Sequence, residues 1–199
     1  ILLDNEIKNM VQIVDAFEVP AAIVMEYVDG PTLYEAVTRG SLSKLEDALA
    51  CLLNISKIID KAHNLKDVVL HRDLKPDNIK MRKNDEGNSI GDIVVLDFDL
   101  SWHRGASGAS AIPGIRSLGY SAPEQSPFYS GKNSKRSVLV DVFAIGMLGY
   151  FVFSKIEPRP NEHKFDSFKD TLKGNIEKAF KSRWKCVPEY LTSLLCRCV

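Results

Sequence analysis

Apolar positions recur along this chain in several distinct rhythms. Val11 to Phe17 and Ala21 to Tyr27 are two short apolar runs separated by a connection containing Pro20, the pattern of paired strands. Farther on, Leu45, Leu49, Leu52, Ile55 or Ile59 and Ala62 recur at helical spacing, and Ser43 with Glu46 three residues later forms a capping-box signature for that helix. Ile93-Val94-Val95-Leu96 reads as a buried strand. Val138 to Phe153 is apolar on every side except at Asp141. It is too short, and interrupted by an acid, to cross a membrane, so it predicts a buried central helix. A charged helical stretch runs from about Asp166 to Lys181, and a last helix begins near Glu189. Between these elements, the polar residues 82–92 predict a hairpin tip, and the Gly-, Ser- and Ala-rich residues 101–119 predict a loop with little to bury.

Composition narrows the class without naming a chemistry. The 199 residues suffice for a sizeable core, and the formal net charge is zero, so nothing points to nucleic acid or an acidic membrane surface. Cys51, Cys186, Cys196 and Cys198 lack zinc spacing, and scattered thiols fit a reduced, cytoplasmic compartment. The sequence shows no signal peptide, anchor or internal repeat.

Candidate chemistry concentrates in His71-Arg72-Asp73-Leu74-Lys75-Pro76-Asp77-Asn78 and in Leu96-Asp97-Phe98-Asp99. Alone, Asp-x-Lys is an ordinary surface ion pair, and an Asp after a strand is an ordinary turn residue. Together they offer a carboxylate, an ammonium, an amide oxygen and a second carboxylate, the kinds of group that positioning a phosphoryl group and neutralising its charge require. With Ala122-Pro123-Glu124 following in order, the chain resembles the eukaryotic-type Ser/Thr protein kinase catalytic domain along essentially its whole length.

The resemblance implies an α+β, protein kinase-like fold, mainly the helical C-lobe plus the hinge. Residues 1–27 would be a remnant of the N-lobe, its last two strands, and residues 28–199 the C-lobe, incomplete at its end. It implies transfer of the γ-phosphoryl of Mg-ATP to a protein Ser or Thr, with Asp73 orienting and deprotonating the hydroxyl and Lys75 meeting the γ-phosphate. Asn78 and Asp97 would hold Mg2+, while Met25, as gatekeeper, and the backbone of Glu26 and Val28 would border the adenine. Arg72 matches the class whose activation loop is phosphorylated, so Ser107 and Ser110 become candidate sites for an upstream kinase or autophosphorylation. Ser117 would bond to Asp73 and Lys75, Asp141 would accept hydrogen bonds from the loop backbone, and Glu124 would pair with a later arginine.

Lysine at position 75 and the Ala-Pro-Glu segment favour a protein substrate over the small-molecule kinases. The sequence also departs from the pattern. The Gly-rich loop, the strand lysine and its glutamate partner are absent, which implies a truncated domain, nearly inactive alone. Asp99 replaces a usual glycine, and Lys80 stands where an apolar side chain underlies adenine, its stem covering the base and its ammonium reaching solvent. A pseudokinase scaffold that binds partners without turnover is the alternative these departures support.

Overall fold

The computed structural model describes residues 9–83, 91–97, 102–103, 119–126, 129, 136–159, 167–185 and 189–199. In chain order they form β1 (Ile13–Glu18), β2 (Ala21–Met25), α1 (Leu33–Arg39), α2 (Leu45–His63), β3 (Val69–Leu70), β4 (Ile79–Met81), β5 (Ile93–Val95), β6 (Trp102–His103), α3 (Leu139–Ser154), α4 (Phe168–Arg183) and α5 (Glu189–Cys198). The strands pair antiparallel as β1 with β2, β3 with β6 and β4 with β5. Helices beside small antiparallel sheets make this an α+β fold, as the resemblance implies.

The core sits between α2 and α3. From α2 come Ala48, Cys51, Leu52, Ile55, Ile58, Ile59 and Ala62, while α3 is buried along nearly its whole length. An all-round apolar helix needs neighbours on every side, and α2, α4 and α5 supply them. Gly146 and Gly149 let α5 approach: a Cβ at Gly149 would lie 2.5 Å from Leu195 Cδ2, and one at Gly146 2.7 Å from Cys198 Cβ. From α4, Phe168, Leu172, Ile176 and Phe180 face inward at four-residue spacing. Arg183 closes the end of α3, with Nη1 donating to the carbonyls of Val152 (3.3 Å) and Phe153 (2.9 Å) and Nη2 to Leu42 O (3.0 Å). A cation there complements the negative end of the helix dipole.

Several sequence expectations shift. Helix α2 starts at Leu45 with Lys44 as its N-cap and no side-chain cap bond, so the Ser43–Glu46 box does not form. Ser43 is held by a tertiary contact instead, its carbonyl accepting from Trp184 Nε1 at 2.9 Å. Leu49, counted in the buried stripe, is 39% exposed. A capping box does form at α1, a helix the sequence reading did not identify: Glu35 N donates to Thr32 Oγ1 (3.2 Å) and Thr32 N to Glu35 Oε2 (2.9 Å). Strand β2 ends at Met25 rather than Tyr27, and Val14, Phe17, Ile23 and Val24 lie exposed on the β1–β2 hairpin.

Candidate active site

Strand β3 runs directly into the loop of residues 71–78. Asp141, in the first turn of α3 and fully buried, takes the backbone N–H groups of its first two residues. Its Oδ2 accepts from His71 N (2.9 Å), its Oδ1 from Arg72 N (2.7 Å), and His63 Nε2 lies 2.8 Å from Oδ2. Charge-assisted bonds of this kind offset the cost of burying a carboxylate. Arg72 turns the chain with φ 70°, a left-handed conformation that disfavours a non-glycine residue. Its carbonyl accepts from Gln125 Nε2 at 2.7 Å, and Gln125 Oε1 accepts from Ala122 N at 3.0 Å. The Ala-Pro-Glu turn is thereby joined to the loop, with Glu124 buried in it.

His71 threads the centre of this arrangement. Its Nδ1 accepts from Asp73 N (3.3 Å), and its Nε2 faces Leu96 O at 2.9 Å. One nitrogen accepting and one donating describes a neutral ring. Burial pushes its pKa down, against the opposing field of Asp141, which agrees with that state.

Asp73, Lys75 and Asn78 converge. Lys75 Nζ donates to Asp73 Oδ2 at 2.7 Å, and Asn78 Nδ2 donates to Asp73 O (2.9 Å) and Oδ2 (3.2 Å). The second carboxylate oxygen, Asp73 Oδ1, is buried and has no hydrogen-bond partner among the described residues. An acceptor left unpaired in a buried carboxylate asks for an explanation, and a donor hydroxyl brought by a substrate provides one. Because Asn78 spends its Nδ2 on Asp73, its Oδ1 is the end left to accept.

The β4–β5 register sets Leu96, the residue before Asp97, against Asn78. Ile79 pairs with Val95, and Leu96 N donates to Asn78 O at 2.8 Å, so Asp97 follows at the mouth of the loop. Asp97 also has positive φ (60°), a second strained residue beside Arg72. Among the described residues no cluster of three or more His, Cys, Asp or Glu side chains forms a metal site. An amide oxygen and one carboxylate instead fit Mg2+, a hard cation bound through one or two protein oxygens with phosphates and water completing its shell.

Past β2 the chain continues through Glu26 and buried Val28, with Met25 half-exposed at the strand end. Glu26 N donates to Gln12 O (2.9 Å), and its carboxylate pairs with Arg82 Nη2 at 2.9 Å. The Lys80 ammonium, expected in solvent, donates to Gly30 O at 3.0 Å and stands 6.0 Å from the Tyr27 ring. Ser107, Ser110, Ser117 and Asp99 lie outside the described residues. Sequence reasoning gave no role to His63, His71 or Gln125. The histidines flank β3 and the loop as a spaced pair, and Gln125 follows directly on Ala-Pro-Glu, so proximity to the motif was the available signal.

A family model for the protein kinase domain matches residues 1–199. A putative serine/threonine-protein kinase of Mycoplasma pneumoniae is 28% identical, over 88% of this chain and 48% of its own length. Calcium/calmodulin-dependent protein kinase type 1 of Caenorhabditis elegans is 31% identical, over 88% of this chain and 50% of its own length. The corresponding protein of Macrobrachium nipponense is 29% identical, with the same two coverages. The chain thus spans about half the length of these curated relatives. A match along all its residues, joined to the convergent loop, means that this chain belongs to the protein kinase domain family.

Proposed function

We propose that the protein carrying this chain is an ATP-dependent serine/threonine protein kinase, with Asp73, Lys75, Asn78 and Asp97 as its reacting set. The observation that carries this reading is the asymmetry of Asp73: one oxygen is held by Lys75 and Asn78, and the other is buried and unpaired among the described residues. Asp73 Oδ1 orients the attacking hydroxyl and accepts its proton, while Lys75 offsets negative charge beside it. Asn78 and Asp97 would hold Mg2+, which when bound with ATP neutralises the phosphate oxygens. Met25 and the backbone of Glu26 and Val28 would border the adenine. Residues 1–27 then serve as the last strands of the smaller lobe and residues 28–199 as the helical lobe.

Arg72 supports regulation through the segment that follows. Its Nε is buried and unpartnered among the described residues, and a phosphate on Ser107 or Ser110 would supply charge-assisted bonds to this cation. Free thiols at Cys51, Cys196 and Cys198 fit a cytoplasmic setting. Among the described residues no helix is long and apolar enough to cross a membrane.

The test is to incubate the full-length protein with Mg-ATP labelled at the γ-phosphate and a mixture of cell proteins. Label recovered on serine or threonine supports the reading. Magnesium-dependent nucleotide binding without transfer would identify a binding scaffold instead. Label appearing only on a small molecule would identify a metabolite kinase.

A further inference from the structure

One short segment, running from β4 into the two residues after it, grips the chain that leaves β2. Lys80 Nζ reaches Gly30 O at 3.0 Å, Arg82 Nη2 reaches Glu26 Oε2 at 2.9 Å, and Lys83 Nζ lies 3.3 Å from Asp29 Oδ2. Backbone bonds run alongside, Met81 N to Pro31 O (2.9 Å) and Lys83 N to Asp29 O (3.0 Å). Gly30 fits this pairing because a Cβ there would stand 2.0 Å from Met81 O.

Within this set the Arg82–Glu26 pair differs from the others. Glu26 Oε1 also accepts from Gln12 N (3.2 Å), while Glu26 N donates to Gln12 O (2.9 Å). One carboxylate therefore ties together the lead into β1, the exit from β2 and the end of β4. Its side chain is 22% exposed and that of Arg82 41%, against 59% and 69% for Asp29 and Lys83. Solvent therefore screens the Arg82 pair less than the Lys83 pair. The hydrogen bond from Arg82 also holds the Glu26 carboxyl below its ordinary range, so the pair stays charged at neutral pH.

We infer that Arg82 is a positioning residue for the nucleotide, acting through Glu26 to fix the Glu26–Val28 backbone against β4. The inference rests on the reading of that backbone as the adenine edge. A preset edge loses less freedom on binding, so the pair bears on nucleotide affinity and not on the chemical step.

In the full-length protein, Arg82→Gln should raise the KM for ATP and the Kd for Mg-ATP about 2- to 5-fold, with kcat unchanged, the range expected of a partly shielded pair. Lys83→Gln should leave both constants unchanged, and Arg82→Lys should restore part of the affinity. Combining Arg82→Gln with Glu26→Gln should weaken binding no further than the weaker single variant, because both remove the same interaction. Wild-type binding with an Arg82→Gln variant of equal affinity would overturn the inference and leave the kinase reading standing. A higher kcat in Arg82→Gln would also overturn it, since the pair would then restrain turnover. Wild-type protein that binds no Mg-ATP would refute the kinase reading, and this inference with it.

Discussion

At the scale of single residues, many of the site's polar atoms are held by named partners, while Asp73 Oδ1 and Arg72 Nε are buried without one among the described residues. His71 shows how closely protonation is tied to this order. Its Nδ1 receives the Asp73 N–H, so a proton on that nitrogen would set two donors against each other. Burial lowers its folded-state pKa below the ordinary value of 6.5. Below that value the unfolded chain takes up a proton that the folded one resists. Stability from this residue is therefore complete above pH 6.5 and is lost as pH falls through the depressed folded value. The urea midpoint should drop between pH 7.5 and pH 5.5, and His71→Asn should show a shallower dependence; equal slopes would remove His71 as the cause.

At the scale of elements, the turn between β2 and α1 depends on backbone geometry at Gly30. Its φ is 137°, and a side chain would press on the Met81 carbonyl, which cannot move without breaking the β4 pairing. Gly30→Ala should destabilise the protein by about 2–3 kcal/mol, from strain and overpacking together. A denaturation midpoint within error of wild type would contradict this account of the turn. The same region marks the limits of sequence reading. Long periodic elements were legible: α2, α3 and α4 all appear within a few residues of their expected bounds, because an apolar stripe fixes a helix wherever it can be buried. Cap choice was not, since Ser43 and Thr32 carry the same local signature and are told apart by tertiary contacts, among them the Trp184 bond to Ser43 O. Nor was the Lys80 contact, because no local pattern reveals a carbonyl fifty residues away in sequence.

At the scale of the molecule, one buried acid couples the core to the chemistry. Asp141 belongs to the central helix, yet its carboxylate binds the loop that carries Asp73 and meets His63 at the end of α2. The kinase resemblance implied Asp141 as an acceptor for that loop; the bond to His63 was not legible, because it depends on how α2 packs on α3. Asp141→Ala would strand two buried N–H groups and should cost about 3–5 kcal/mol, the scale of breaking a buried charged contact. Chemical denaturation would show it, and a loss below 1 kcal/mol would mean that the loop holds itself. The motif residues converge through register as well: β4 against β5 sets Asn78 beside Leu96, and Asp97 follows.

The most direct test of the whole account is single-turnover phosphoryl transfer by the full-length protein and its Asp73→Asn variant, with Mg-ATP in excess. An amide keeps the shape of the side chain but cannot take up the hydroxyl proton. The account predicts that the variant folds, binds Mg-ATP as the wild type does, and transfers phosphate to serine or threonine at least ~100-fold more slowly. Near-equal rates for the two proteins would contradict it.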